Sequence, residues 1–320
     1  MISTSIQFMQ IEPTTRCNYT CGYCVGRHLE QQDLSLDTYK SVINATTDLK
    51  YIQLQGEGEP LLHPNFFDMV AYARNKYPDI KISTTTNGSM FTKDVISKLE
   101  SAQLTSIFIS IESTDDFEFQ QIRGGKLSRV KRGILDLMKS KNTAKVGFAV
   151  TVLKQTISQL PAIARLYEEL GMNGGISVQA LQSQDLFTNV YDTFMLSNIL
   201  STEDHTIADN IIATDLQFTK YQMVRDTNDD FHSELYRTDH GTCPWLVKAF
   251  YLSAGGFIES CCRVKYRETS SHSEFDDNMA RMLTERNDIR EIFSRGDLPK
   301  QCEGCYTAKT VIDYVKRQST

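Results

Sequence analysis

Eight cysteines occur in this chain of 320 residues, yet none lies between Cys24 and Cys243. Nothing at the start of the chain points to an oxidising compartment, so a disulfide framework is not expected. The N-terminus, MISTSIQFMQIEPTTRC, lacks a basic segment followed by an apolar run. No window approaches the ~20 apolar residues of a membrane span, so a secreted or spanning protein is not expected. The chain is read as cytoplasmic, where thiols stay reduced and eight of them need another explanation. A basic excess is also missing: the formal net charge is -6. That argues against the broad positive field which neutralises phosphates, and so against a nucleic-acid partner. Internal repeats and low-complexity stretches are absent as well.

What remains is a sequence able to build a real core, with 40% hydrophobic residues. From residue 6 to 180, short apolar runs alternate with stretches of helical period, the mark of βα units around a parallel sheet. The runs predict strands at Ile6–Ile11, Tyr51–Gln55, Ile80–Thr84, Ser106–Ile111, Val146–Val152 and Ile176–Ala180, with a helix after each of the first five. Ser35 and Thr92 stand where N-caps belong. Six strands are too few for a closed eight-stranded barrel, so the expected fold is α/β, a partial (β/α)6 barrel with an open side. The expected division is 1–181 for the barrel, 182–242 for a connector, and 243–320 for a small C-terminal region. In the connector, Asp226, Asp229, Asp230 and Glu234 form either a solvated polar stretch or an acidic wall for a cationic substrate.

Cys17, Cys21 and Cys24 follow the first strand directly, at the end where α/β barrels build their active sites. Three thiolates can hold three irons of a 4Fe-4S cluster and leave the fourth iron open to a ligand. Structural zinc is the alternative, and only His28 lies within reach to complete its four ligands. With Tyr23 before the third cysteine, the segment EPTTRCNYTCGYC resembles the signature loop of the radical S-adenosylmethionine superfamily. That resemblance implies a cluster whose open iron chelates the methionine moiety of S-adenosylmethionine, and a 5′-deoxyadenosyl radical that abstracts hydrogen from substrate. It extends over residues 6 to about 180. Gly56-Glu57-Gly58-Glu59-Pro60 is similar to the family's Gly-Gly-Glu-Pro motif, which implies Gly58, Glu59 and Pro60 around the methionine amino group, with Glu57 in place of a glycine. Thr86-Asn87-Gly88 is similar to its Thr-Asn-Gly turn. Ser110-Ile111-Glu112-Ser113 is similar to its Ser-x-Asp-Gly, where only Ser110 carries over. Arg123, in Ile122-Arg123-Gly124-Gly125, matches an arginine that pairs with the methionine carboxylate.

The remaining cysteines crowd the last quarter. Cys243-x12-Gly256-x4-Cys261 resembles the opening of the SPASM and Twitch extensions, in which two cysteines flank a hairpin. Tyr251, Leu252, Phe257 and Ile258 around Ala254-Gly255-Gly256 read as that hairpin in their own right. With Cys302-x2-Cys305, the resemblance implies a second, auxiliary 4Fe-4S cluster with four protein ligands; tetrathiolate zinc is the alternative. A full SPASM pattern would continue at positions occupied by Val311 and Val315, so the shorter Twitch arrangement fits better. Cys262 is left over: a small buried hydrophobe, a substitute ligand, or a hydrogen-atom donor to a substrate radical.

The expected activity is epimerisation or dehydrogenation of a small molecule of amino-sugar or aminocyclitol type, with a flavodoxin- or ferredoxin-type reductant. The first cysteine at residue 17 leaves no expected room for an N-terminal leader-binding domain, so a peptide-modifying enzyme would be leader-independent. A hypothesis of another class is a non-catalytic iron-sulfur electron carrier. It has no use for an open iron beside an ammonium-binding loop.

Overall fold

Parallel strands separated by helices dominate the chain because apolar positions recur with period two in short runs and with helical period between them. The computed structural model describes residues 6–215, 242–243, 245–263 and 275–318. Asp226, Asp229, Asp230 and Glu234 lie outside the described residues.

Six parallel strands run β1 (Phe8–Ile11), β2 (Tyr51–Leu54), β3 (Lys81–Thr86), β4 (Ser106–Ser110), β5 (Lys145–Val152) and β6 (Ile176–Ala180). They pair in sequence order. Between them lie α1 (Leu36–Ala45), α2 (Phe66–Lys76), α3 (Lys93–Ala102), α4 (Asp116–Arg123) with α5 (Leu127–Lys139), and α6 (Leu160–Glu169). Ser35 caps α1 through the Thr38 amide at 3.0 Å, and Thr92 caps α3 through the Val95 amide at 3.3 Å. β6 falls on its predicted residues. β3 runs two residues further than predicted, because Thr85 and Thr86 still pair with Phe108 and Ile109.

The sheet continues past β1. The predicted hairpin forms as β7 (Ala249–Leu252) and β8 (Ile258–Glu259), and β7 lies parallel to β1, with Phe8 opposite Ala249 and Gln10 opposite Tyr251. The strand order is therefore β6-β5-β4-β3-β2-β1-β7-β8. The turn between β7 and β8 needs Gly256 at φ +83°, a left-handed conformation glycine adopts without a steric penalty.

Alternation along the strands gives the sheet two unlike faces. Met9, Ile11, Ile52, Leu54, Ile82, Ile109, Val146 and Phe148 point toward the helices and join the main core, as do Phe250 and Leu252 of β7. In the same register, Gln10, Gln53, Thr85, Ser110 and Gln179 occupy the opposite face. Gln55, just past β2, joins them by accepting from Gln53 at 2.8 Å and from Thr85 Oγ1 at 2.5 Å. The same face carries the aromatic rings of Phe8, Tyr51, Phe108 and Tyr251, with Lys81 and Lys145 where β3 and β5 begin and Glu259 opposite Tyr251.

Candidate functional site

The loop carrying Cys17, Cys21 and Cys24 leaves the C-terminal end of β1 and is fixed from two sides. The Thr20 and Gly22 amides donate to the carbonyls of Arg123 and Ile122, each at 3.0 Å, which ties the loop to the end of α4. On the other side, the Glu59 amide donates to the Arg16 carbonyl at 2.9 Å. Gly58 makes that approach attainable: a Cβ there would sit 2.3 Å from the Thr14 carbonyl oxygen. Cys21 is buried, and Cys17 and Cys24 are half-buried.

Three buried carboxylates knit the strand ends together. Glu12, at the end of β1, accepts from the Glu57 amide at 2.7 Å and the Ala254 amide at 3.1 Å, joining the β2 loop to the hairpin. Glu59 accepts from the Thr86 hydroxyl and the Asn87 amide, both at 2.6 Å, and caps the turn Pro60–Leu62 through the Leu61 amide at 3.2 Å. Burial pushes its carboxyl up, against those three bonds. Asn87 in turn donates to the Asn18 side chain at 2.8 Å and lies 3.7 Å from Cys17 Sγ.

Glu112 and Arg123 form the tightest cluster. One guanidinium nitrogen, Arg123 Nη1, reaches both Glu112 oxygens at 2.7 and 2.9 Å. The Tyr23 hydroxyl donates to Glu112 Oε1 at 2.7 Å and accepts from Arg123 at 2.9 Å. Glu112 and Arg123 are both buried. Burial opposes the charge on Arg123, but Cys21, Glu112 and Tyr23 outweigh it and hold the guanidinium protonated.

Burial pushes the Cys17, Cys21 and Cys24 thiols up, and each is an electrostatic neighbour of another in the set. Metal binding here must therefore release protons. Among the described residues, no three Cys, His, Asp or Glu side chains are close enough to hold a single metal ion, and His28 is exposed. Around the thiols, Tyr19 Oη, Arg123 Nε and Tyr191 Oη are buried without a hydrogen-bond partner. Cys24 and Glu57 are electrostatic neighbours of Tyr191, and Arg123 and Cys21 are neighbours of Tyr19. Orphaned buried donors beside three thiols are what a site for a thiolate-bound cluster and an anionic ligand requires.

Residues 11–167 match the Radical SAM superfamily. The chain carries a radical SAM domain. Over 233 residues it is 24% identical to the tungsten-containing aldehyde ferredoxin oxidoreductase cofactor-modifying protein of Pyrococcus furiosus, covering 69% of this chain and 65% of that one. A probable GTP 3′,8-cyclase of Methanococcus maripaludis is 32% identical over 174 residues, 52% of this chain and 57% of that one. This chain thus spans less than two thirds of these relatives. Among solved structures, Streptococcus suis SuiB bound to precursor peptide SuiA superposes with a TM-score of 0.67 at 15% identity, covering 95% of this chain and 71% of that one. Native anSMEcpe with bound AdoMet and Cp18Cys peptide superposes with a TM-score of 0.65 at 15% identity, covering 98% of each.

Within the radical SAM domain, Gly58, Glu59, Pro60 and Asn87 come together at one end of the sheet, joined through the bonds of Glu59. Ser110 ends β4 on the inner face. Glu59 and Arg123 have protein partners that sequence reasoning missed. For Glu59 they are Thr86 and Asn87; for Arg123 they are Glu112 and Tyr23. Any contact to a bound ligand falls to what is left over, above all Arg123 Nε. Glu12 and Glu112 were also missed as organisers. The signal for Glu112 was present, since a carboxylate at a strand end eleven residues before an arginine can pair with it.

The C-terminal cysteines gather around Cys243. Cys243, Cys261 and Cys262 pack on Phe8, Tyr51, Trp245, Ala249 and Tyr251. Cys243, Cys302 and Cys305 pack on a second cluster, which includes Leu246, Phe293 and Val311. Burial pushes Cys243 and Cys302 up to about 12. Val311 is fully buried in that cluster, and Val315 packs on it. Register places Phe8, Tyr51, Ala249 and Tyr251 on the inner face of the sheet, so one side of the cysteine group faces the barrel interior.

Proposed function

We propose that Cys17, Cys21 and Cys24 hold a 4Fe-4S cluster beside S-adenosylmethionine, and that the chain uses them to remodel a hydrogen-bonding substrate inside the barrel. The observation that carries this reading is the thiol loop at the end of β1, ringed by buried donors that have no partner. When bound, the two cofactors supply a 5′-deoxyadenosyl radical. Gly58 frees backbone groups for the methionine amino group, Glu59 Oε2 keeps a lone pair beside its bond to Asn87, and Arg123 Nε is free to donate to the methionine carboxylate. Asn87 and Ser110 supply further polar contacts. None of the eight cysteines is in a disulfide, and the reading places the chain in the cytoplasm, where thiols stay reduced. Reduced protein should release 5′-deoxyadenosine from S-adenosylmethionine, and the Cys17, Cys21, Cys24→Ala triple variant should release none. A triple variant that still releases it ends the assignment, and a wild-type protein that never does is an electron carrier.

The inner face speaks to the substrate. Gln10, Gln53, Gln55, Thr85, Ser110 and Gln179 offer amides and hydroxyls, which suit a hydroxyl-rich small molecule. A short peptide is the second reading, since side-chain amides pair as readily with peptide groups. We further propose that Cys243, Cys261, Cys302 and Cys305 hold an auxiliary 4Fe-4S cluster and that Cys262, packed beside them, acts as hydrogen-atom donor in an epimerisation. Its thiol gives a hydrogen atom to the substrate carbon radical. The resulting sulfur radical is restored by one electron from a flavodoxin- or ferredoxin-type donor and one solvent proton. With a substrate that stimulates 5′-deoxyadenosine release, product formed in deuterated buffer should carry deuterium at the inverted carbon. Cys262→Ala should keep releasing 5′-deoxyadenosine and lose the epimer. Normal turnover of that variant makes dehydrogenation the better account.

A further inference from the structure

The helix Phe275–Ser294 lays Met282, Arg286, Ile289 and Phe293 along one buried stripe. Three of these are the apolar residues such a stripe calls for, and the fourth is an arginine that is 1% exposed. Its Nη2 donates to the Ala249 carbonyl, while its Nε has no partner. No carboxylate among the described residues pairs with it. A buried cation without a counter-charge is strongly unfavourable, typically by several kcal/mol, so its place in the core calls for an anion. One turn on, Arg290 donates to the Leu246 carbonyl.

Those two carbonyls mark where the cysteines are. Ala249 belongs to the cluster on which Cys243, Cys261 and Cys262 pack, and Leu246 to the one that carries Cys243, Cys302 and Cys305. The attractive electrostatic neighbours of Arg286 are Cys243 and Cys261. Burial, with repulsion from Arg290 second, pulls Arg286 down to about 10. Four thiolates outnumber the positive charge of the iron-sulfide core they hold, so the assembled group is an anion.

We infer that Arg286 is a built-in counter-cation for an anionic cluster held by Cys243, Cys261, Cys302 and Cys305, and that it raises the reduction potential of that cluster. This rests on the auxiliary-cluster reading above. Reduction adds negative charge, and a buried guanidinium favours the more negative state, most strongly where water does not screen it. Arg286 is thus a positioning and tuning residue, distinct from the hydrogen-atom donor role proposed above for Cys262.

The test uses the full chain as the Cys17, Cys21, Cys24→Ala triple variant, in which only the auxiliary site can load. Anaerobic reconstitution with iron and sulfide, metal analysis and a redox titration followed by electron paramagnetic resonance are then compared for Arg286, Arg286→Lys and Arg286→Gln. The parent should hold about four irons. Arg286→Gln should lower the midpoint by about 59 mV or more, the one-electron equivalent of tenfold, and Arg286→Lys by less. A folded Gln variant that loses its iron while the Lys variant keeps it also supports the inference. Equal midpoints in all three overturn it, as does loss of iron in both variants, because Lys preserves the charge. A parent that holds zinc or no iron defeats the auxiliary-cluster reading itself, and metal content separates that failure from the others.

Discussion

The thiol loop after β1 and the cysteine group beside β7 share one sheet but are held by different means. Cys17, Cys21 and Cys24 stand in a lattice of directed bonds from Glu12, Glu59, Asn87, Glu112 and Arg123, to which the ends of β1, β2, β3 and β4 contribute. Cys243, Cys261, Cys302 and Cys305 lie on two apolar clusters, joined by Cys243, with Arg286 and Arg290 reaching in from one helix. Directed bonds fix distances and angles, whereas apolar packing fixes volume and leaves orientation freer. A site that must present one iron to a small ligand needs the first kind of support. A site whose ligands are all protein can let the metal do the final ordering, since its binding energy is also folding energy.

The largest effect expected from this contrast comes from breaking the lattice at Glu112. Truncation in Glu112→Ala leaves the Arg123 guanidinium buried with only Tyr23 and should cost about 3–5 kcal/mol in denaturant unfolding. The double variant Glu112→Leu, Arg123→Met should recover much of that stability, because an apolar pair of similar volume replaces a buried ion pair at little cost. It should not recover affinity for S-adenosylmethionine if Arg123 Nε meets the methionine carboxylate. A double variant that is stable and binds normally would show the ion pair to be scaffolding alone; a stable Glu112→Ala would remove the lattice argument.

Much of the barrel was legible because strand and helix periods are local. β6 lies on its predicted residues, and Ser35 and Thr92 cap the predicted helices. The parallel pairing of β7 with β1 was not legible, since some 240 residues separate Phe8 from Ala249 and no local pattern encodes a partner that distant. The three cysteines of the loop announced themselves by spacing. The partners of Glu59 and Arg123 did not, because a motif names a residue and not the bonds it makes inside the fold. Arg286 left a trace that went unread: Met282, Ile289 and Phe293 fall at helical spacing around it, and a charge within such a stripe is a feature to explain.

The smallest expected effect lies where the two regions are joined. Gln184, just beyond β6, accepts from Arg263 Nη1 at 2.7 Å and donates from Nε2 to the Glu303 carbonyl at 2.7 Å. One side chain therefore links the barrel exit to the loop after Cys262 and to the turn between Cys302 and Cys305. Gln184→Ala removes both bonds at a half-buried position, which should cost about 1 kcal/mol. If the regions are held independently, hydrogen exchange should speed up at the amides of Glu303 and Cys305 and stay unchanged at Thr20 and Gly22, whose bonds run to α4. Release of 5′-deoxyadenosine should also stay at its wild-type rate. Faster exchange in both places would mean that the cysteine groups open as one cooperative unit, and the difference in how they are held would then have no counterpart in their dynamics.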